Sequence, residues 1–359
     1  MPSAKNPLSY ILPIRQLSAD DTGELGAYLR WLGAHCELII VDASPPAVFD
    51  AHAREWRSFA VHVPVDADVT CINGKVRGVL TGFRLASFER IVIADDDIRY
   101  DDRSLDEVVA ALDDADVVRP QNYFDPMPWH AVIDTGRILL NRALDGDWPG
   151  TLAVRRSAIR ATAGYSGDVL FENLELVRTV VAAGGTRLVM RGVLVRRLPP
   201  TAAHFLDQRV RQAYDEFARP LRLATQLAIV PAVAAALLTS HFAVCAGAVC
   251  AIIALAEFGR RRSGGRRVFP VAASVLAPLW VIERGVCAWL AVWRRVRHGG
   301  VSYAGRVVSA AATPMRELRT RHAGAITVTS IGLNEPLFDN SAEHAVTPTI
   351  IGISARNSR

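Results

Sequence analysis

The strongest constraint on the fold is an apolar region in the C-terminal half of the chain. Residues 221–258 form an apolar stretch about twice as long as one membrane-spanning helix, which needs roughly 20 residues. Thr239, Ser240 and His241 interrupt this stretch near its middle. The basic sequence GRRRSGGRR follows at 259–267 and is typical of a cytoplasmic loop. We therefore predict a hairpin of two membrane helices at 221–258, followed by a basic loop at 259–267.

A third apolar segment, at 268–295, differs from the first two in its charges. Glu283 and Arg284 stand in its middle, and charges at the centre of a bilayer are costly. We therefore predict an interfacial helix or a third membrane helix here. The C-terminal segment, residues 299–359, mixes small and polar residues without a period after about residue 314, so we expect that part to be loose.

The composition supports a division into a folded front and a membrane-associated back. The chain has 359 residues, half of them apolar, with a mean hydropathy of +0.18 and a formal charge of +5. The apolar excess lies between residues 221 and 293, and the arginine excess gathers around it. This distribution fits anionic lipid head groups rather than nucleic acid. Residues 1–220 are predicted to form one domain of common size.

The cysteines and the N-terminus indicate a cytoplasmic location for the domain at 1–220. The five cysteines form no C-x-x-C pair, which argues against a disulfide framework or a zinc site. The first residues lack the apolar core and the small-residue cleavage site of a signal peptide. We expect a multi-pass protein of the plasma membrane whose domain at 1–220 faces the cytoplasm.

Short apolar runs alternate with helix-like stretches in the predicted domain. The runs at 9–14, 36–44 and 90–97 are continuous in Val, Ile and Leu, as expected for strands buried on both faces. Their alternation with helices predicts an α/β fold with a mainly parallel sheet. Ligands bind beyond the carboxyl ends of such strands, so acids that follow the strands are candidate site residues.

Three consecutive acids, Asp95, Asp96 and Asp97, end the third of these runs. Their mutual repulsion is costly unless a cation neutralises it. Because side chains alternate along a strand, we expect Asp95 and Asp97 to point the same way. Such a pair can hold Mg²⁺ or Mn²⁺, which bridges the diphosphate of a nucleotide. The alternative is a solvated acidic turn without a ligand.

Two further residues are candidates for nucleotide-sugar binding beside Asp95 and Asp96. Asp42, at the end of the second run, can accept hydrogen bonds from a nucleotide base, although a plain turn cap is the alternative. Lys75 stands at the start of a helix-like stretch, where it, or Arg77 in its place, can neutralise phosphate with the help of backbone donors. The alternative for Lys75 is an ordinary surface lysine.

Glu172 and Glu175 are the candidates for a general base. They lie three residues apart at the start of a helix-like sequence and therefore share one helix face. A carboxylate beside an acceptor hydroxyl can take its proton. The alternative is that both acids stabilise the helix N-terminus by opposing its dipole.

Taken in order, these motifs resemble glycosyltransferase family 2, the inverting enzymes with a GT-A fold. The family's strand-terminal Asp is matched by Asp42, and its D-x-D metal motif by residues 95–97. Its small-residue acceptor segment is matched by residues 148–157, and its Glu-Asp base motif by residues 171–173. Its membrane-bound branch, which includes ceramide glucosyltransferase-like enzymes, has a Q-x-x-R-W motif, and residues 208–212 resemble it.

The resemblance implies a Rossmann-like GT-A domain for nucleotide-diphosphate sugars, followed by C-terminal transmembrane or interfacial helices. It also implies a UDP- or GDP-linked donor, a divalent metal ion, and a lipid or lipid-linked acceptor at the cytoplasmic membrane face. Gln208, Arg209 and Arg211 belong to the acceptor or product side. Trp129 and His130 lie between the metal motif and the base motif, where they can stack on a sugar or line a lipid entrance; a rigid packed loop is the alternative.

The sequence departs from the family pattern at two positions. Asn173 replaces the usual Asp of the base motif, so that the role of base falls to Glu172 or to Glu175. Gln212 replaces the Trp of Q-x-x-R-W, which favours a single transfer over processive synthesis. Two rival functions follow: a polyprenyl-phosphate sugar synthase, which needs no strong base, and a non-catalytic membrane scaffold with a degraded transferase fold.

Overall fold

The computed structural model describes residues 7–18, 23–303 and 305–326. Within these ranges, eight strands form one mixed sheet flanked by helices, and three long apolar helices follow. The predicted α/β class with C-terminal apolar helices is therefore confirmed.

The strands of the sheet all lie before residue 200. They are β1 (Leu8–Ile14), β2 (Glu37–Asp42), β3 (Val61–Pro64), β4 (Arg90–Ala94), β5 (Ile98–Arg99), β6 (Val117–Phe124), β7 (Thr151–Arg155) and β8 (Arg187–Arg197). Their order across the sheet is β3-β2-β1-β4-β7-β6-β8-β5. β1 to β4 run parallel, β7 is reversed between β4 and β6, and β8 is parallel to β6. The carboxyl ends of β1, β2, β4 and β8 therefore share one edge with the start of β7.

The helices divide into those of the sheet region and those that follow it. The first group is α1 (Gly23–His35), α2 (Pro46–Trp56), α3 (Gly74–Leu85), α4 (Asp102–Ala110), α5 (Trp129–Ala143), α6 (Arg156–Ala161), α7 (Glu172–Ala182) and α8 (Ala202–Tyr214). The second group is α9 (Pro220–Leu238), α10 (Phe242–Arg261), α11 (Val271–His298) and α12 (Met315–His322). A short hairpin, β9 (Val301–Tyr303) and β10 (Arg306–Val308), separates α11 from α12.

The continuous apolar runs explain the centre of the sheet. β1, β2 and β4 are almost entirely buried, as expected for parallel strands that are covered on both faces. α3 packs so closely on β1 that a Cβ added to Gly78 would lie 2.7 Å from Pro13 Cβ. Because glycine has no side chain, the start of α3 can approach the carboxyl ends of the central strands.

The third predicted strand ends earlier than expected. β4 stops at Ala94, and the three acids lie in the turn between β4 and β5. The Ile98 N–H donates to the Asp95 carbonyl at 3.2 Å and closes this turn. Strand alternation, which we used to orient the acids, therefore does not apply to them.

Three helices are long and apolar enough to span a membrane, and they differ in how much they pack on the rest of the chain. We compared the most apolar 18 residues of each helix. Of these residues, 6% are buried in α9, 11% in the helix that begins at Phe242, and 39% in α11. The turn between α9 and α10 lies at residues 239–241, as the sequence predicts. α9 and α10 therefore expose most of their apolar surface, whereas α11 lies along the folded domain.

The two charges in the middle of α11 face protein rather than open surface. Arg284 is buried and donates to the Arg209 carbonyl and to Gln212 Oε1, both at 3.4 Å. Glu283 accepts from the guanidinium of Arg209 at 2.6 Å. Exposed apolar side chains recur every three or four residues on α11, as on one helix face: Val271, Val275, Leu279, Ile282, Val286, Leu290 and Trp293. The charges are thus compatible with an apolar outer face.

α5 connects the sheet region to α10 and α11 through close helix contacts. A Cβ added to Gly259 of α10 would overlap with the carbonyl oxygen of Leu139 of α5. A Cβ added to Gly136 of α5 would lie 2.9 Å from Ala277 Cα of α11. The apolar helices therefore pack directly on the domain instead of joining it by a flexible linker.

Part of the predicted basic loop also turns inward. Arg260 forms an ion pair with Glu257 at 2.6 Å, and Arg262 donates to the Ala143 carbonyl at 2.8 Å. Arg266 and Arg267 remain exposed. The surface of this loop that can face anionic lipid is therefore smaller than the sequence suggests.

The C-terminal segment is better ordered through residue 326 than we expected. The Phe171 N–H donates to the Ala311 carbonyl at 2.8 Å, so the segment after β10 lies against the start of α7. α12 then packs on α7. The expectation of a loose chain after about residue 314 is therefore wrong for α12, and residues 327–359 lie outside the described ranges.

Gly259→Ala is expected to loosen the packing of α10 on α5. The added methyl group overlaps with a backbone oxygen, and overpacking costs about 1–3 kcal/mol, so the melting temperature in detergent should fall. Gly247→Ala is the matched control, because Gly247 lies in the same helix and has nothing within 4 Å of an added Cβ. There Ala should stabilise the helix by up to about 1 kcal/mol. Equal melting temperatures would contradict the close approach.

Candidate active site

A cavity of about 510 Å³ opens at the sheet edge where β1, β2 and β4 end. It is lined by the strand end at 13–15, by the acids at 95–97, by the segments 148–150 and 170–173, and by residues 204–215 in part. Segments that are distant in sequence meet here, as expected beyond the carboxyl ends of parallel strands.

Two cations face the acids in this cavity. Lys75 Nζ lies 2.5 Å from Asp95 Oδ1, and Arg197 Nε lies 2.9 Å from Asp97 Oδ2. Arg197 Nη2 also reaches Asp95 Oδ2 at 3.5 Å. Arg197 is the last residue of β8, and Lys75 lies in the first turn of α3. The acids are therefore balanced by cations from two different elements.

The same surroundings shift several pKa values. Burial, with the added charges of Asp97 and Asp95, raises the pKa of Asp96 to about 6. Burial also raises the pKa of Asp97. Burial alone would lower the pKa of Lys75, but the carboxylates of Asp95 and Glu172 outweigh it and hold that pKa above its usual range. The site thus combines acids that are close enough to repel one another with a firmly charged lysine.

The donor set at the acids fits a divalent metal ion. Asp97 Oδ1 is buried and has no hydrogen-bond partner among the described residues. Asp95 and Asp97 both contact Arg197, so their carboxylates converge on one place. Carboxylate oxygens are the ligands that Mg²⁺ and Mn²⁺ prefer. Asp95 and Asp97 are therefore the candidate metal ligands.

Gly150 brings the segment at 148–150 against the acids. Its carbonyl accepts from the Asp95 N–H at 2.9 Å, and its own N–H donates to Asn122 Oδ1 at 2.7 Å. A Cβ on Gly150 would lie 2.7 Å from Asp95 Oδ2. The neighbouring Trp148 is held by the guanidinium of Arg119, 3.9 Å from the ring centre. A side chain at position 150 would therefore push this wall away from the acids.

The start of α3 offers fewer backbone donors than the sequence suggests. Asn73 caps this helix, and its Oδ1 accepts from the Lys75 and Val76 N–H groups at 3.0 and 3.3 Å. These two donors are therefore already used. The side chain of Lys75 does lie in the cavity, where it contacts Asp95 and Glu172.

Glu172 and Glu175 lie in different surroundings. Glu172 lines the cavity, and its Oε1 accepts from Lys75 Nζ at 2.9 Å. Glu175 is fully buried and accepts from the Thr313 N–H at 2.7 Å, so it anchors the segment before α12. Of the two candidate bases, Glu172 is the one that the fold brings to the cavity.

Asp42 is buried behind the cavity, and its carboxylate is used inside the protein. It accepts from His52 Nδ1 at 2.7 Å, from His62 Nε2 at 3.0 Å and from the Ser44 N–H at 2.8 Å. Burial raises the pKa of Asp42, but the hydrogen bonds from His62, Ser44 and His52 outweigh it and hold that pKa well below its usual range. This arrangement joins β2, α2 and β3.

Asp42, His52 and His62 are also close enough to hold a metal ion. However, His52 Nε2 and His62 Nδ1, on the far sides of the rings, are buried without a hydrogen-bond partner in the described ranges. Metal-bound histidines usually donate from that other nitrogen to an oxygen. The cluster therefore fits a hydrogen-bonded clamp better than a metal site.

The predicted Q-x-x-R segment divides between the cavity and the protein interior. Gln208 and Arg211 line the cavity. Arg209 points the other way and forms ion pairs with Asp134 at 3.0 Å and with Glu283 at 2.6 Å. It therefore ties α8 to α5 and α11 rather than contacting a ligand.

Trp129 and His130 lie beside the main cavity and not in it. Trp129 is 59% exposed. His130 is buried, with its Nε2 2.8 Å from the Pro200 carbonyl, and it lines an adjoining cavity of about 110 Å³. Gln208 lines both cavities.

The structure thus divides the predicted site residues into two groups. Those that line the main cavity are Lys75, Asp95, Asp96, Asp97, Glu172, Gln208 and Arg211. Those that do not are Asp42, Trp129, His130, Glu175 and Arg209.

Among the cavity residues that the sequence reasoning missed are Arg197, Asp215 and Tyr303. Arg197 ends a strand-like run, so a charged side chain at a strand terminus was the available signal. Tyr303 lies after the apolar helices, and its hydroxyl donates to Asn73 Oδ1 at 3.3 Å. Tyr303 lies in the segment 299–306, whose sequence also echoes the family, but neither Tyr303 nor Asp215 was named as a site residue, because only the fold brings them to the site.

Residues 42–119 match the family model described as Glycosyl transferase family 21. The match confirms that the chain carries a glycosyltransferase segment, as predicted for the enzyme class. The sequence motifs resembled family 2, whereas the model that matches is that of family 21. Because the match covers less than half of the chain, it does not place the whole chain in that family. No curated protein matches the chain.

Several solved structures resemble the chain at low identity. One is a mannosyltransferase from Pyrobaculum calidifontis in complex with GDP-Man and Mn²⁺, with 16% identity, 93% of this chain and 89% of that chain covered, and a TM-score of 0.43. Another is mannosyl-3-phosphoglycerate synthase from Rubrobacter xylanophilus, with 12% identity, 60% and 74% covered, and a TM-score of 0.40. Because these TM-scores lie below 0.5, neither likeness carries an argument about function.

Asp42→Asn is expected to lower the free energy of unfolding by about 2–4 kcal/mol, because it removes the charge to which two buried histidines bond. Since the folded pKa of Asp42 is depressed, its contribution is present above the unfolded pKa of about 4 and is lost as pH falls through the folded pKa. Denaturant unfolding of the wild type and the variant should therefore show a difference in the free energy of unfolding that becomes smaller below about pH 4. Asp50→Asn, at an exposed position of α2, is the control. An equal loss in both variants would argue against the clamp.

Proposed function

We propose that the chain is a membrane-associated inverting glycosyltransferase of the GT-A type. It transfers a sugar from a UDP- or GDP-linked donor to a hydroxyl of a lipid or lipid-linked acceptor. The observation that carries this proposal is the shared cavity of Asp95, Asp97, Lys75 and Glu172, with its opposed charges at the end of the parallel strands. The glycosyltransferase family match across the acids supports it.

On the donor side, Asp95 and Asp97 would hold Mg²⁺ or Mn²⁺, which would neutralise the charge that develops on the leaving diphosphate. Lys75 and Arg197 stand beside the same carboxylates. Once a divalent ion shares these carboxylates, both cations can turn to the phosphate oxygens. Asp96, whose pKa is raised to about 6, lies beside them in the cavity.

On the acceptor side, Glu172 is the candidate base, because it occupies the position of the family's base motif. Gln208 and Arg211 line the same wall and can hydrogen-bond the acceptor. His130 lies at the adjoining side cavity, where an acceptor can enter, and the exposed Trp129 contacts the ring of His130. Attack of the acceptor oxygen in line with the departing diphosphate inverts the anomeric carbon.

The acceptor is proposed to be a lipid because the apolar helices pack directly on the domain. α8 carries Gln208 and Arg211 at the cavity and is tied by Arg209 to Glu283 of α11. The other face of α11 is apolar and exposed. We place the domain on the cytoplasmic face of the plasma membrane, with α9 and α10 as a multi-pass anchor. This arrangement supports kinship with the ceramide glucosyltransferase-like branch.

A polyprenyl-phosphate sugar synthase is the second candidate function. Asn173 favours it, since its Nδ2 donates to the Pro149 carbonyl at 3.0 Å and it serves as a structural amide. An acceptor phosphate is already ionised and needs no strong base. Donor turnover with and without polyprenyl phosphate separates the two candidates.

Asp97→Asn is expected to weaken Mn²⁺-dependent donor binding by about 100-fold or more, because it removes one of two charged metal ligands. The measurement is the rise in melting temperature on adding UDP or GDP with Mn²⁺, which reports binding to the folded state. Asp102→Asn, an exposed acid shortly after the same turn, should keep the full rise.

The release of free nucleoside diphosphate from UDP-glucose or GDP-mannose distinguishes an enzyme from a scaffold. An active transferase should release it slowly in the presence of Mn²⁺, with water in the place of the acceptor. A wild-type protein that shows neither a melting-temperature rise nor release with any donor would contradict the proposed function.

A further inference from the structure

Asp215 lines the cavity but belongs to none of the family motifs. It follows the last residue of α8 and lines the same wall as Glu172, Arg211 and Tyr303. Its Oδ1 is buried and has no hydrogen-bond partner among the described residues. A buried carboxylate oxygen without a hydrogen-bond partner costs free energy. An acid in this position at a cavity wall is therefore a candidate functional residue.

The backbone on both sides holds Asp215 in this position. Tyr214 is fully buried, and its hydroxyl donates to the Ser309 carbonyl at 2.9 Å. Glu216 is buried as well and forms an ion pair with Arg219 at 2.9 Å. Because both neighbours are fixed in the interior, the side chain of Asp215 is held toward the cavity.

The charges around Asp215 come from three elements. Glu172 faces it from α7, Arg211 from α8, and Glu216 and Arg219 from the turn that follows. Burial, with the repulsion of Glu172, raises the pKa of Asp215 to about 8, against the lowering effect of Arg211. A helix C-terminus also disfavours a negative charge. Asp215 can therefore both hold and release a proton near neutral pH.

The residues at the motif position do not supply a free base. Asn173 is an amide and donates to the Pro149 carbonyl. Glu172 has its Oε1 engaged by Lys75, which also contacts Asp95. Glu172 is therefore part of the charge balance of the donor side.

We propose that Asp215 is the general base of the transfer and that Glu172 acts as a positioning residue through Lys75. The proposal rests on the proposed function and deepens it. The ionised carboxylate of Asp215 takes the proton of the acceptor hydroxyl while the acceptor oxygen bonds to the anomeric carbon. The bond from that carbon to the diphosphate oxygen breaks, and the electron pair leaves with the nucleoside diphosphate. Asp215 then passes its proton to water.

The test compares three variants of the full-length protein in detergent with Mn²⁺ and UDP-glucose or GDP-mannose, with water as the acceptor. Asp215→Asn should lower the rate of nucleoside diphosphate release by about 10²–10⁴-fold and should leave the melting-temperature rise with UDP or GDP unchanged. Asp207→Asn is the matched control, because Asp207 is an exposed acid on α8, the helix that ends directly before Asp215. Its rate should equal that of the wild type. Glu172→Gln should change both the rate and the melting-temperature rise, as expected for a residue that positions Lys75.

The dependence of kcat/KM on pH gives a second readout, and its first part uses only the wild-type protein. Because the base acts only when ionised, kcat/KM of the wild type should increase as pH rises toward about 8. Asp215→Asn should lose this increase of kcat/KM with pH, whereas Glu172→Gln should keep it. The Asn variant should also fold, because it resembles the protonated carboxyl group that prevails at neutral pH.

Three results would overturn the assignment. In the first, Asp215→Asn keeps the wild-type rate and the wild-type rise of kcat/KM with pH. In the second, Glu172→Gln abolishes the rate and this pH dependence while Asp215→Asn does not, in which case Glu172 is the base. The wild type could also bind nucleoside diphosphate and yet release none at any pH. A wild type that binds no nucleotide with Mn²⁺ would instead contradict the proposed function itself.

Discussion

The repulsion among Asp95, Asp96 and Asp97 is the constraint on which the rest of the site depends. Two like charges about 4 Å apart repel by about 4 kcal/mol at an effective dielectric constant of about 20, so the turn after β4 needs cations nearby. The fold supplies Lys75 from the start of α3 and Arg197 from the end of β8. Both elements must therefore reach the same sheet edge. The reversed strand β7 lies between β4 and β6 and starts at this edge, directly after the glycine that the acids contact.

A second balance of charges joins the sheet region to the apolar helices. Arg209 lies between Asp134 of α5 and Glu283 of α11, and Arg284 of α11 donates to the Arg209 carbonyl. Ion pairs inside a protein are costly to break, because the remaining partner is left buried and unpaired. The position of α8, and with it the cavity wall, is thus fixed by a helix whose outer face is apolar. The exposed apolar face of α11 and the wall of the cavity therefore share one framework.

The sequence predicts the parts of this structure that depend on local pattern. Apolar runs located β1, β2 and β4, and the three acids located the centre of the cavity. Patterns failed where a side chain's role depends on distant partners. Asp42 is occupied by His52 and His62, which only the pairing of β2 with β3 and the docking of α2 bring near. Likewise, the charges in α11 suggested an interfacial position, but their partners on α8 could not be read from the helix itself.

The cavity is closed by residues that follow the apolar helices in the chain. Tyr303 of β9 contacts Asn73 at the start of α3, and the guanidinium of Arg211 lies 5.4 Å from the Tyr303 ring centre. The Ser309 carbonyl accepts from Tyr214, the residue before Asp215. In the chain, Tyr303 and Ser309 come after α9, α10 and α11, so these contacts join the parts of the chain before and after the apolar helices. This wall of the cavity is therefore complete only when the apolar helices are in place, which couples the assembly of the site to the packing of those helices on the domain.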